Sequence, residues 1–309
     1  MSTPLNKPGS NGAASPWKVL VVAGRSLDGQ TAARRAAVHI TEMEVASVNA
    51  EGLEQLRAAT EGHQVGAALV CDEAWATNQL RAAGIPVLHA YTEAVVPHVP
   101  LVDADLRMAH RPQWYEEEAG LPRGVIPVAS FAPARRGWTG KGRGALVALG
   151  TGTAETDTVL ASARDTLLPL LPSVAEAADG PVTVLTDGPV DALGELLGAV
   201  EGTTVLAATD AGLDELHSAC RVFLATPTLA ALTTARARNA PLTLLPALDD
   251  AQQNLLERVI KAAPVPVLDA PDTWAPAAGI EWAVADSDDD LSGAQRVARK
   301  LRQLVLAPV

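Results

Sequence analysis

Aromatic residues are scarce: Phe, Trp and Tyr make up 3% of 309 residues, in a chain that is 48% hydrophobic. Its core must therefore be built from Ala, Val and Leu, as in layered α/β packing. Cysteine is almost missing too. Cys71 and Cys220 are the only two, with no further pair and no histidine at metal-ligand spacing, so a disulfide framework is excluded and no metal site is expected. Both read as buried thiols in a reducing compartment. Positive charge is in deficit: 24 Lys and Arg stand against 36 Asp and Glu, a formal net charge of -12 with a pI near 4.9. Phosphate-rich nucleic acid or an anionic membrane surface would be repelled, which leaves small molecules as the expected partners. Neither an apolar run of about 18 residues nor a secretory leader is found, so no membrane insertion and a cytoplasmic location are expected.

What is present is a repeated alternation of apolar runs and helical stretches. The length suits two domains of about 150 residues each. Residues 1–16 are small, polar and Pro/Gly-rich and read as a disordered tail. From there KVLVVA (18–23) ends at Gly24 and precedes a helix over 30–37. VGAALV (65–70) precedes a helix over 74–83, and a further strand covers 85–88. Fully apolar strands alternating with helices imply a parallel sheet covered on both faces. After a short strand over 124–130, the Gly-, Arg- and Pro-rich FAPARRGWTGKGRG (131–144) reads as a flexible linker. The alternation then restarts with strands over 145–149, 181–186, 203–207, 221–225 and 242–245, and helices ending near 171 and over 191–200, 213–219, 228–238 and 291–306. The expected organisation is α/β, two Rossmann-like domains over 17–132 and 145–309 joined by 133–144, with a ligand cleft between the carboxyl ends of both sheets.

Residues at those strand ends are the candidates. Thr226 is a suitable helix cap and Pro227 a suitable first helical residue, so the free amides behind them would favour a diphosphate; a well-made cap without a ligand explains the same pair. Gly150-Thr151-Gly152-Thr153 permits close backbone approach to a phosphate or is a tight structural turn. No G-x-x-x-x-G-K-[ST] loop occurs, so an ATPase has no support. Asp72 and Glu73 follow one strand directly, and two adjacent acids raise each other's pKa as a general base requires, or they simply favour a helix start. Asp28 and Gln30 sit on the equivalent loop of the first strand. His89 and Glu93 follow the strand ending at Leu88, with His89 read as a satisfied polar group, while Glu116 to Glu118 read as a solvated face. Arg25, Arg34 and Arg35 are available to an anionic substrate or to solvent. In LLPALDDAQQNLL (244–256), Asp249 or Asp250 suits a helix cap, which leaves Gln252 and Gln253 unexplained.

The stretch 213–256, with RVFLA, TPTLAALTTARARNAPLTLLP and DDAQQN, resembles the carboxyl-terminal domain of nucleotide-sugar glycosyltransferases of the GT-B fold, and in particular the N-acetylglucosaminyl transferase that makes lipid II. The resemblance implies a diphosphate at Thr226 and Thr228, sugar hydroxyls at Asp250, Gln252 and Gln253, and a glycine loop at Gly150 to Thr153. Two positions depart from it. Ala231 stands where the family carries a ribose-binding Glu, and Asp28-Gly29-Gln30 stands where Gly-Gly-His is frequent, so no His base is available there. The compact plan is also similar to the cytosylglucuronic acid synthases. That likeness implies transfer of glucuronic acid from its uridine diphosphate to a nucleobase in antibiotic biosynthesis, with Arg25 or Arg34 on the sugar carboxylate and Asp72 or Glu73 at the base edge. A UDP-linked co-substrate and no other cofactor is implied, and a homodimer is left open. A nucleotide-sugar hydrolase or epimerase and a non-catalytic partner subunit are the competing readings.

Overall fold

The computed structural model describes residues 18–49, 52–61, 65–93, 102–115, 120–134, 137–138, 140–277, 280 and 290–306. The tail 1–16 and the acid run Glu116 to Glu118 lie outside them. In chain order the elements are β1 (Lys18–Ala23), α1 (Leu27–Ala37), β2 (Glu44–Asn49), α2 (Leu53–Thr60), β3 (Val65–Cys71), α3 (Ala74–Ala82), β4 (Val87–Tyr91), β5 (Leu106–His110) and β6 (Ile126–Val128). The second series is β7 (Ala145–Leu149), α4 (Thr156–Ser162), a π-helical turn (Ala163–Leu167), α5 (Leu168–Ala178), β8 (Val182–Thr186), α6 (Val190–Leu197), β9 (Thr203–Ala207), α7 (Leu213–Ala219), β10 (Val222–Ala225), α8 (Leu229–Arg238), β11 (Thr243–Leu244), α9 (Asp250–Ala262) and α10 (Gly293–Leu306).

These strands make two all-parallel sheets, in the orders β2-β1-β3-β4-β5-β6 and β11-β10-β7-β8-β9. Each sheet is flanked by helices on both faces, which is why β1, β3, β4 and β7 are apolar along almost their whole length and buried but for the first residue of β1 and the first two of β3. The sequence pattern missed β2, α2 and β5. EVASVN of β2 lies at a sheet edge and is exposed or half-buried throughout, so it carries no apolar run. LRMAH of β5 places Arg and His among its five residues.

Three expectations need correction. The last helix does not belong to the second unit. Val297 and Leu301 of α10 are fully buried with Val19, Leu69 and Phe131 against the first sheet, and the crossing is tied by an antiparallel bridge between Phe131 and Ser292. Nor is the described part of the linker loose: Trp138 Nε1 donates to Cys220 O at 3.3 Å, and a Cβ on Gly142 would stand 2.1 Å from Ala219 O. Finally, α1 starts at Leu27 rather than Gln30, because Ser26 Oγ accepts the Gly29 amide at 3.1 Å and caps the helix there. Asp28 thus belongs to a helical first turn, and that turn points at the second domain. No helix among the described residues is long and apolar enough to cross a membrane.

Candidate active site

A cavity of about 590 Å³ lies between the carboxyl ends of the two sheets. The first domain contributes Ser26, Leu27 and Asp28 from the start of α1 and Glu93 from beyond β4. The second contributes Gly150, Gly152 and Thr153 after β7, Asp187 after β8, Pro227 and Thr228 before α8, and Asp250 and Gln252 from α9. Parallel strands deliver all these groups to one edge because every chain direction in both sheets is the same.

Local chemistry fixes each of them. Thr228, not Thr226, caps α8: its Oγ1 accepts the Ala231 amide at 3.3 Å, which puts Pro227 one residue before the cap rather than at the first helical position. Thr226 is buried and donates to Gly150 O at 2.8 Å. Asp249 caps α9 by accepting the Gln252 amide at 2.8 Å, and its other oxygen accepts from Thr153 N and Oγ1 at 2.7 and 2.8 Å. Gln252 is buried; its Nε2 donates to Gly150 O at 2.7 Å and its Oε1 accepts from Leu248 N at 3.0 Å. The side chain proposed for sugar hydroxyls therefore braces the glycine loop. Gln253 is exposed and turned along α9 toward Glu257 at 3.2 Å. Asp250 lines the cavity with an exposed side chain. Ala231, where a ribose-binding Glu was sought, is wholly buried.

The expected catalytic set divides. Asp28 faces the cavity, but its carboxylate is already used: Oδ1 accepts the Ala230 amide at 2.6 Å and Oδ2 the Leu229 amide at 3.4 Å. Burial first, and then Glu93 and Asp187, push its carboxyl up to about 7 against those two hydrogen bonds. Gln30 is buried and bonded to Gly24 O at 2.7 Å and Asn49 Oδ1 at 3.2 Å, a brace between β1 and β2. Asp72, in the left-handed region at φ 60°, accepts from Thr92 N at 2.7 Å and from Thr92 Oγ1, which ties the end of β4 to the end of β3. Burial, followed by Glu93, raises its pKa strongly. Glu73 is half-buried beside Trp75 and Arg25, its pKa raised by burial. Neither Asp72, Glu73 nor Gln30 lines the cavity.

The arginines expected at a sugar carboxylate are elsewhere. Arg34 donates to Thr209 O at 2.7 Å and to Ala211 O, and Arg35 pairs with Asp214, so both bind the two domains together. Arg25 is exposed beside Asp187 and Thr209 in a separate depression. His89 is buried with its Nδ1 2.8 Å from Thr77 Oγ1, and burial lowers its pKa to about 4. Cys71 and Cys220 are buried free thiols; burial pushes the first well above its ordinary value and the second to about 12.

Asp187 was not foreseen in the cavity, and Glu93 was named only for its place after the strand of His89. Asp187 accepts the Leu27 amide at 2.6 Å and both Thr151 N and Oγ1 at 2.7 and 2.9 Å, and burial raises its pKa against those bonds. It follows β8 directly, so the rule that selected Asp72 would have found it. Glu93 lines the cavity, and its pKa is raised by burial of the carboxyl there and then by Asp187 and Asp249, with the Ser26 hydroxyl opposing. Asp28, Glu93, Asp187, Asp249 and Asp250 thus line one cavity, and among the described residues no Lys or Arg lines it. Chemically such a cavity can accept a proton near neutral pH at Asp28, and an anion entering it needs the amides at the start of α8 to offset the carboxylates.

Two Rossmann-like domains, each an all-parallel sheet between helices and facing each other across such a cleft, are the layout of GT-B nucleotide-sugar glycosyltransferases. The family model described as CGA synthase-related protein matches residues 18–309, and the chain belongs to that family. No curated protein matches. Among solved structures, the glycosyltransferase SnogD from Streptomyces nogalater is similar at 14% identity, with 94% of this chain and 95% of that chain covered and a TM-score of 0.46. MurG of Acinetobacter baumannii is similar at 12% identity over 93% of this chain and 100% of that one, with a TM-score of 0.45. MnaA of S. aureus, in a co-structure with UDP, is similar at 10% identity over 93% and 96%, with a TM-score of 0.48.

Proposed function

We propose that the protein is a glycosyltransferase that moves a sugar from a nucleoside diphosphate, with UDP-glucuronic acid the first candidate, to a small acceptor such as a nucleobase. Its setting on this reading is cytoplasmic secondary metabolism. The observation that carries the proposal is the placement of the α8 amino terminus and the Gly150–Thr153 loop on the same cleft that the first domain closes, in a chain of the CGA synthase-related family. The donor diphosphate is assigned to the Leu229 and Ala230 amides with Thr228, Gly152 and Thr153 beside it, where the helix dipole favours negative charge. The sugar is assigned to Asp250 and Gln253 on the first turn of α9. Glu93 is assigned as general base, since its raised pKa and its edge position suit an acceptor entering from the first domain. In the transfer the acceptor N–H or O–H attacks the anomeric carbon, Glu93 takes the proton, and the bond from that carbon to the diphosphate oxygen breaks with both electrons leaving on the diphosphate.

The cavity's five carboxylates favour a second reading, a degenerate transferase that binds a partner or a cationic ligand without catalysis. Calorimetry with UDP and UDP-glucuronate, followed by incubation with cytosine, separates the two. Micromolar donor binding with release of UDP upholds the transferase, and absence of both overturns it. Free sugar or an epimer formed without acceptor would instead indicate a hydrolase or epimerase.

A further inference from the structure

We propose that the Leu27–Asp28 turn is a built-in plug of the second domain, in which Asp28 occupies the anion position at α8 and must leave it before a diphosphate can enter. The proposal rests on the donor reading given above, and its geometry stands apart from that reading. In an isolated helix the first amides have no partner. In α8 the first two, Leu229 and Ala230, are taken by Asp28 from a domain about two hundred residues away in sequence, and the third, Ala231, by the Thr228 hydroxyl. A negatively charged ligand would find no free amide among these three.

The contact is reciprocal. The first amide of α1, that of Leu27, is taken by Asp187 of the second domain at 2.6 Å. Each domain therefore caps a helix of the other with an aspartate, within one turn of chain. Leu27 itself is fully buried in the second domain's core with Ala225, Leu229 and Ala230, and its Cδ2 lies 3.5 Å from where a Cβ on Gly150 would stand. The turn thus covers the glycine loop and the helix terminus together, with an apolar residue on one and a carboxylate on the other. Opening the cleft breaks both caps and exposes Leu27 in a single movement, so the two caps release as one unit.

Amide hydrogen exchange and UDP calorimetry on the full chain test this, with Asp28→Ala and, as the conservative variant that retains the fold, Asp28→Asn. Asp28→Asn keeps an acceptor oxygen and is expected to stay near wild type, whereas in Asp28→Ala the expected result is faster exchange at Leu229 and Ala230 and also at Leu27, whose own acceptor Asp187 is untouched. UDP binding is expected to tighten about tenfold, the size of one lost capping interaction. Unchanged exchange at Leu27, with UDP bound equally by wild type and both variants, would overturn the plug and leave the donor site standing. Faster exchange at all three amides with no UDP binding by any of the proteins would uphold the interdomain latch and overturn the donor reading.

Discussion

Arg35 and Asp214 meet across the seam between the two domains, the guanidinium of α1 donating Nε to one carboxylate oxygen of α7 at 2.9 Å and Nη2 to the other at 2.7 Å. Arg35 is almost wholly buried, at 2% side-chain exposure, and also donates to Phe131 O and Thr234 Oγ1. Burial works to raise the Asp214 pKa, but Arg35, followed by Arg238, holds it below the ordinary carboxylate value. Removing either partner strands a buried charge. Arg35→Met is expected to destabilise the protein by roughly 3 kcal/mol in urea denaturation, and the double variant Arg35→Met/Asp214→Leu by less than the sum of the singles. Additive losses would show that the pair does not couple the domains. The sign in pH follows from the lowered pKa: the pair's contribution is present above the unfolded value of 3.8 and fades as pH falls through the lower folded value.

Asp28 acts in the opposite sense. Its folded pKa, about 7, lies above its unfolded value of 3.8, so its favourable contribution is complete below 3.8 and is lost as pH rises through 7. Glu93, Asp187 and Asp72 face it with the same sign of charge, while the α8 amides oppose them. The stability of wild type relative to Asp28→Asn should therefore fall by up to about 4 kcal/mol between pH 4 and pH 8. The comparison must be between variants. His89, His110 and His217, whose pKa values burial lowers to about 4, 3 and 3, cost stability as pH drops below 6.5 and would obscure a single curve. A flat difference would mean that Asp28 is solvated in solution.

How far the sequence announced this arrangement depends on distance along the chain. VLVVA, GAALV and ALVAL are apolar at every position because both faces of each sheet are covered, and such runs are visible without a structure. β2 was invisible because an edge strand with exposed residues carries neither an apolar run nor strict alternation. Gly150, Gly152 and Thr153, singled out for their place after β7, do line the cavity, and Asp187 after β8 was open to the same reading. What could not be read was partnership. Asp28 looks like a loop acid until Ser26 is seen to start the helix before it, and its link to Ala230 spans 202 residues. The amides of Gln252 looked free for a ligand because nothing in DDAQQN shows that Gly150 O waits above them.

Gly152 gives a purely steric prediction. It sits at φ +57°, and a Cβ there would stand 2.4 Å from Asp249 Oδ2, the oxygen that accepts from Thr153. Gly152→Ala should cost about 2 kcal/mol in thermal unfolding by adding backbone strain to a displaced cap. Gly194→Ala, in the middle of α6 with open space at the Cβ position, should be neutral or slightly stabilising. Equal effects at the two positions would contradict the described loop.

Gln252 and Gln253 adjoin in sequence and differ in what their removal should do. Gln252→Ala leaves Leu248 N without its acceptor and removes one of two donors to Gly150 O, so a loss of about 2 kcal/mol is expected, with the loop displaced and any donor affinity lost indirectly. Gln253→Ala removes only an exposed contact with Glu257, so stability should change by no more than about 0.5 kcal/mol. A fall in UDP-glucuronate affinity in Gln253→Ala at unchanged stability therefore reports a direct sugar contact, which the Gln252 variant cannot do. Unchanged affinity and activity in Gln253→Ala would remove the amide from the sugar site and favour the non-catalytic reading. The pair of measurements, calorimetry beside urea denaturation on both variants, distinguishes a ligand contact from a brace even though one helical turn carries both.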